Sequence, residues 1–87
     1  MTKPLLSGNA IRFLMRRHAV TIRALHQKMD VTMSRVREVR GRGVSDRTVA
    51  RDWIEAITGH DPGEHTAVYC ASIERLLQSG RRGRPRS

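Results

Sequence analysis

The 87-residue sequence predicts an all-α fold of five short helices, and three observations carry that expectation. Apolar residues recur three and four positions apart in five segments. A Ser, Thr or Asp stands at the start of each segment, where a helix needs a side-chain acceptor for its unpaired amides. No stretch alternates apolar and polar residues as a half-buried strand would, and no internal repeat is present. The balance of 38% hydrophobic to 29% charged residues is that of a globular domain. Only Phe13, Trp53 and Tyr69 are aromatic, so aliphatic side chains must build the core. A chain of this length buries about two thirds of its unfolded surface, and a dimer interface is expected to supplement the core.

Ser7 caps a first helix to about His18, with Ile11, Leu14, Met15 and His18 at helical spacing and Arg12, Arg16 and Arg17 on other faces. Thr21 caps a second helix through Met29, striped by Ile22, Leu25 and Met29. After Asp30 breaks that pattern, Thr32 caps a third helix to about Arg40. There Val36 and Val39 point inward while Arg35, Arg37, Glu38 and Arg40 face out, and Gly41 and Gly43 close it. Ser45 and Asp46 start a fourth helix carrying Val49, Trp53, Ile54 and Ile57, which Gly59 stops. Residues 60–65, with Pro62 and Gly63, read as a loop. A fifth helix from about Thr66 to Gln78 places Tyr69, Ile73, Leu76 and Leu77 on one side. Residues 1–78 thus form one domain, and 79–87 a basic tail expected to be disordered when free.

The charge is divided along the chain. Residues 1–42 hold ten basic and two acidic groups, residues 43–78 three and six, and the last nine residues four basic and none acidic. The N-terminal half and the tail are therefore the expected polyanion-binding surfaces. A membrane surface fits less well, because the basic segments lack a broad apolar face. The single Cys70 allows no internal disulfide, and no apolar stretch near the N-terminus suits secretion, so a cytosolic protein is expected.

The most informative segment is Ile22 to Val39, two short helices separated by Asp30, Val31 and Thr32. So tight a link makes the helices cross steeply and leaves the outer face of the second protruding, where a DNA major groove can admit it. Here the sequence resembles the lambda-repressor-like helix-turn-helix family, and within it the short plasmid and phage repressors of the KorC type. The likeness covers residues 7–77 in layout and is most specific over 21–41. There Leu25, Met29, Val31, Val36 and Val39 fall on the family's buried positions, followed by Arg40 and Gly41. Two positions depart from the family pattern. His26 replaces a small residue and is expected to widen the helix packing, and Asp30 replaces the turn glycine.

The resemblance implies a homodimeric, bacterial, nucleoid-associated repressor of cytoplasmic location that binds double-stranded DNA at an inverted repeat. By position it assigns Thr32, Met33, Ser34, Arg37 and Glu38 to base edges, with Glu38 accepting from a cytosine amino group or orienting Arg37. An arginine bidentate to guanine supplies about 1–3 kcal/mol of discrimination, which makes Arg37 the principal reader. Thr21, Arg23, Lys28, Arg35, Arg40 and Arg42 fall to phosphates. A purely solvated helix face is the plain alternative for these arginines.

The tail segment Arg82, Gly83, Arg84, Pro85, Arg86 resembles an AT-hook, which lays arginines along a narrow minor groove. A solubilising tail or phosphate clamp accounts for it equally well. Tyr69, Ile73, Leu76 and Leu77 either anchor a dimer or fill the monomer core. His60, Asp61, Glu64, His65 and Cys70 lack a metal-ligand spacing, and no metal, cofactor or small-molecule ligand is expected. No catalytic triad, carboxylate pair or phosphate loop stands at usable spacing, so an enzyme is not expected. A nonspecific architectural protein and an antitoxin-like interaction module are the alternatives to a repressor. RNA binding is disfavoured because three aromatics make no stacking platform.

Overall fold

Each of the first four helices begins on a side-chain cap. The computed structural model describes residues 3–82, with side chains described as far as Ser79. Helices α1 (Gly8–Arg17), α2 (Ile22–Met29) and α3 (Met33–Arg42) start behind Ser7, Thr21 and Thr32, whose side-chain oxygens accept the amides of Ala10, Ala24 and Arg35. Asp46 does the same for α4 (Arg47–Thr58) with the amides of Thr48 and Val49. Each cap satisfies one or two first-turn donors that have no intrahelical acceptor. A 3-10 turn (Gly63–His65) then leads into α5 (Thr66–Arg82). The fold is all-helical, and the one extended pairing among the described residues is an antiparallel bridge between Leu6 and Val44.

α1 occupies the centre, packed against α3, α4 and α5, while α2 packs on α3 and α4. The expected stripes supply the core, with Ile11, Leu14, Leu25, Val36, Val39, Trp53, Ile54 and Ile57 buried. Leu6, Ala10 and Ala50, outside those stripes, are buried with them. His18 is exposed and does not extend the α1 stripe, since α1 ends at Arg17 and the chain turns back there. The Ala19 and Val20 amides bond the Arg16 and Met15 carbonyls, with Ala19 at φ 55°. That double bond is the usual closure of a helix end, here made without glycine.

Two helix ends differ from expectation. α3 runs through Gly41 to Arg42, and only Gly43, at φ +81°, ends it. α5 continues past Gln78 to Arg82, so residues 79–82 are helical, the earlier turns being packed and Gly80 carried within the helix.

Two glycines fix how α1 meets α3. A Cβ on Gly8 would overlap the Arg40 carbonyl oxygen and lie 3.0 Å from that of Gly41. A Cβ on Gly43 would lie 2.5 Å from the Leu6 carbonyl oxygen. The backbones thus touch where the Leu6 and Val44 amides and carbonyls exchange two 2.9 Å hydrogen bonds. Gly41, by contrast, has open space around its Cβ position. Gly8→Ala is expected to lower stability by about 2 kcal/mol or more through overpacking against backbone. Gly41→Ala is expected to raise it by about 0.5–1 kcal/mol. Urea titration followed by the fluorescence of the buried Trp53 checks both.

The loop after α4 is clamped by a fork. Arg51 donates from Nε and Nη2 to the two oxygens of Asp61, each at 2.7 Å, and the Gly63 amide adds a 2.9 Å bond. Chiefly through the Arg51 bond, the Asp61 carboxyl is lowered from its ordinary 3.8 to about 2. Because the folded-state value is the depressed one, its contribution is full above pH 3.8 and is lost as pH falls toward about 2. Asp61→Asn should therefore be less stable than the parent at neutral pH and equal to it below a pH of about 2, as urea titrations across that range would show.

Candidate nucleic-acid interface

The link between α2 and α3 owes its shape to Asp30, which sits in the left-handed region at φ 57°, ψ 45°. Aspartate tolerates that region better than most side chains, so it serves where glycine is usual. The Asp30 and Val31 amides both bond the His26 carbonyl, and the His26 ring donates from Nδ1 to the Val31 carbonyl at 2.5 Å. The His26 ring and carbonyl thus both take part in closing the link.

With the link closed, α3 turns Val36 and Val39 inward and leaves Ser34, Arg37 and Glu38 exposed on the opposite side, with Met33 half-buried beside them. Thr32 is exposed, but its Oγ1 accepts the Arg35 amide at 3.1 Å, leaving the hydroxyl proton as its outward donor. Glu38 does not orient Arg37. Its two oxygens take Arg35 at 3.2 Å and Arg42 at 3.3 Å, because residues three before and four after share its side of the helix, whereas its immediate neighbour does not. Arg37 has no carboxylate partner among the described residues and projects alone.

The expected phosphate-facing residues divide. Thr21 and Arg23 are exposed at the start of α2, and Arg35 and Arg42 flank Glu38 on the outer surface. Lys28 instead donates to the Ala56 carbonyl at 2.9 Å, in the last turn of α4. Carbonyls there lack helical partners and carry the negative end of the helix dipole, so they draw the ammonium. Arg40 does not face out. It is half-buried, its Nε is shielded from solvent without an acceptor among the described residues, and its carbonyl receives Arg12 Nη1 at 2.9 Å.

Arg12 and Arg16 lie close to Arg40, which the sequence reading missed because they look like the solvent face of an amphipathic helix. Their spacing of four, on the helix preceding a basic pair of helices, was the available signal.

Of the expected dimer anchors, Ile73 is 5% exposed and belongs to the monomer core, and Tyr69 and Leu77 pack half-buried against it. Leu76 stays outside at 57% exposed, joined by Val68 at 68%. Cys70 is buried, and burial pushes its thiol up to about 11. Among the described residues no three His, Cys, Asp or Glu side chains gather as a metal site, and no helix is long and apolar enough to cross a membrane. Arg82 ends α5 without a described side chain, and Gly83, Arg84, Pro85 and Arg86 lie outside the described residues. Comparison with protein-family models, curated proteins and solved structures finds no match to the chain.

Because Thr32 both ends the link and caps α3, Thr32→Ala should lower stability by about 1 kcal/mol. Amide exchange should quicken in the first turn of α3, and Thr32→Ser should restore most of the loss. Hydrogen exchange resolved by residue checks it.

Proposed function

We propose that this chain is a sequence-specific DNA-binding repressor of the lambda-repressor-like helix-turn-helix kind, acting as a homodimer on an inverted repeat. The carrying observation is the outer face of α3, where Ser34 and Arg37 stand exposed and, among the described residues, unpaired, while Val36 and Val39 anchor the helix behind them. A helix held by one face and bare on the other is the shape a major groove admits. Arg37 is the natural reader of guanine. Glu38, braced by Arg35 and Arg42, is suited to setting those two arginines toward the flanking backbone.

The uneven charge supports the same reading, since residues 43–78, which hold α4 and most of α5, carry most of the acidic groups and the first 42 residues most of the basic ones. Val68 and Leu76 lie two turns apart on α5, the large apolar side chains left exposed among the described residues, with Ser72 between them. That stripe is our choice for the two-fold contact, because α5 packs on α1 and α4 and leaves the outer face of α3 free. Two copies so joined would present recognition helices to half-sites about 34 Å apart. Occupying promoter DNA would then exclude polymerase.

Selection of bound duplexes from a random library at near-physiological salt tests the reading. The parent should recover one inverted repeat, Arg37→Ala should lose definition at particular bases, and Leu76→Asp should recover single half-sites. Recovery of no motif by the parent would overturn the proposal.

A further inference from the structure

Where the ends of α1 and α4 come together against α5 there is a cavity of about 230 Å³, walled by His18, Ile54, Thr58, His60, Pro62 and Tyr69. Its apolar side is the buried Ile54 with the half-buried Pro62 and Tyr69. The wall is fixed before any ligand arrives. Thr58 Oγ1 donates to the Ile54 carbonyl at 2.8 Å and accepts the His60 amide at 3.1 Å, and the Arg51 fork on Asp61 holds the chain just beyond. A wall set in advance spares the ordering that binding otherwise costs.

The polar groups here have no partner in the fold. Neither the His18 nor the His60 ring, nor the Tyr69 hydroxyl, makes a hydrogen bond or ion pair among the described residues. Burial pushes the Tyr69 phenol above its ordinary value, so at neutral pH it keeps its proton and can donate. No acidic side chain lines the cavity, and the neighbouring Asp61 gives both its oxygens to Arg51. The positive charge of Arg17 also acts on the Tyr69 phenol. Helix C-terminal carbonyls would by themselves draw a cation. Here several of them are already taken, by the Ala19 and Val20 amides at the end of α1 and by the Thr58 hydroxyl and the Gly59 amide at the end of α4.

We infer that this cavity binds a small aromatic carboxylic acid, its ring against Ile54 and Pro62 and its carboxylate on the donors of Tyr69 and the two histidines. An apolar cavity of about 150 Å³ holds benzene, so the volume here admits one ring with a charged substituent. A carboxylate accepts several N–H and O–H donors at once. A ligand so placed ties the end of α1 to α4 and α5. None of the lining residues belongs to α2 or α3, so the inference stands independently of the function proposed above.

Titration of the full chain with benzoate, benzylamine and acetate at equal ionic strength, followed by NMR of backbone amides and isoleucine methyls, tests it. Benzoate should shift Ile54, Thr58, His60 and Tyr69 saturably with a Kd of about 1 mM, the scale for so small a ligand. Benzylamine, with the same ring and the opposite charge, and acetate, with the charge and no ring, should each bind several-fold more weakly. Tyr69→Phe removes only an unpartnered hydroxyl, so it should keep the parent's Tm and weaken benzoate several-fold. His60→Ala, on an exposed side chain, should do the same. The absence of a saturable shift at these residues overturns the inference, as does benzylamine or acetate binding as tightly as benzoate, or benzoate binding undiminished in both variants.

Discussion

The arrangement of this domain depends on the place where α1 and α3 touch backbone to backbone. Without a side chain at Gly8, the start of α1 comes down onto the Arg40 and Gly41 carbonyls, and Gly43 lets the chain leave α3 close enough for Leu6 and Val44 to pair. Together with the link from α2, that contact sets the position of α3. Val36 and Val39 reach the core, Arg12 reaches the Arg40 carbonyl, and the opposite face is left bare. A side chain at either glycine would push α3 outward and loosen all three at once.

The basic residues have distinct tasks that their number alone does not reveal. Lys28 fastens α2 to the end of α4, Arg51 fastens the following loop, and Arg12 fastens α1 to α3. Arg35 and Arg42 are partly neutralised by one glutamate. Arg37 on the outer face of α3, Arg23 at the start of α2, and Arg16, Arg17, Arg47 and Arg75 elsewhere are exposed and make no ion pair among the described residues. Exposed pairs such as Arg35 with Glu38 contribute little to stability, about 0–1 kcal/mol, so their main effect is on where the arginines point.

Much of the fold was legible because local rules and global packing agree here. The four caps at Ser7, Thr21, Thr32 and Asp46 and the stripe residues from Ile11 to Ile57 announce themselves by type and spacing. What escaped the sequence were contacts between distant residues. Nothing local tells that Leu6 pairs with Val44, that Lys28 turns to Ala56, or that Arg40 is drawn inward beside Arg12. Gly41 misled because a glycine near a helix end looks like its stop, whereas the stop is Gly43, the residue with positive φ. Tyr69, Ile73, Leu76 and Leu77 share one helical side in projection. The core of a domain this small reaches only some of them, and that boundary depends on how α1 and α4 lie beneath α5.

One hydrogen bond couples the two ends of the described chain. The Ser7 amide, at the very start of α1, donates to Glu74 on α5 at 3.2 Å across a separation of 67 residues. Closing so long a loop carries an entropic penalty that is met only when the intervening helices have already drawn the ends together. On a ribosome, the amide at Ser7 must wait in water until residue 74 has emerged, long after α2 and α3 could pair. The start of α1 thus gains this fastening only once α5 has been made, and a nascent chain halted before Glu74 would carry its basic helices without it.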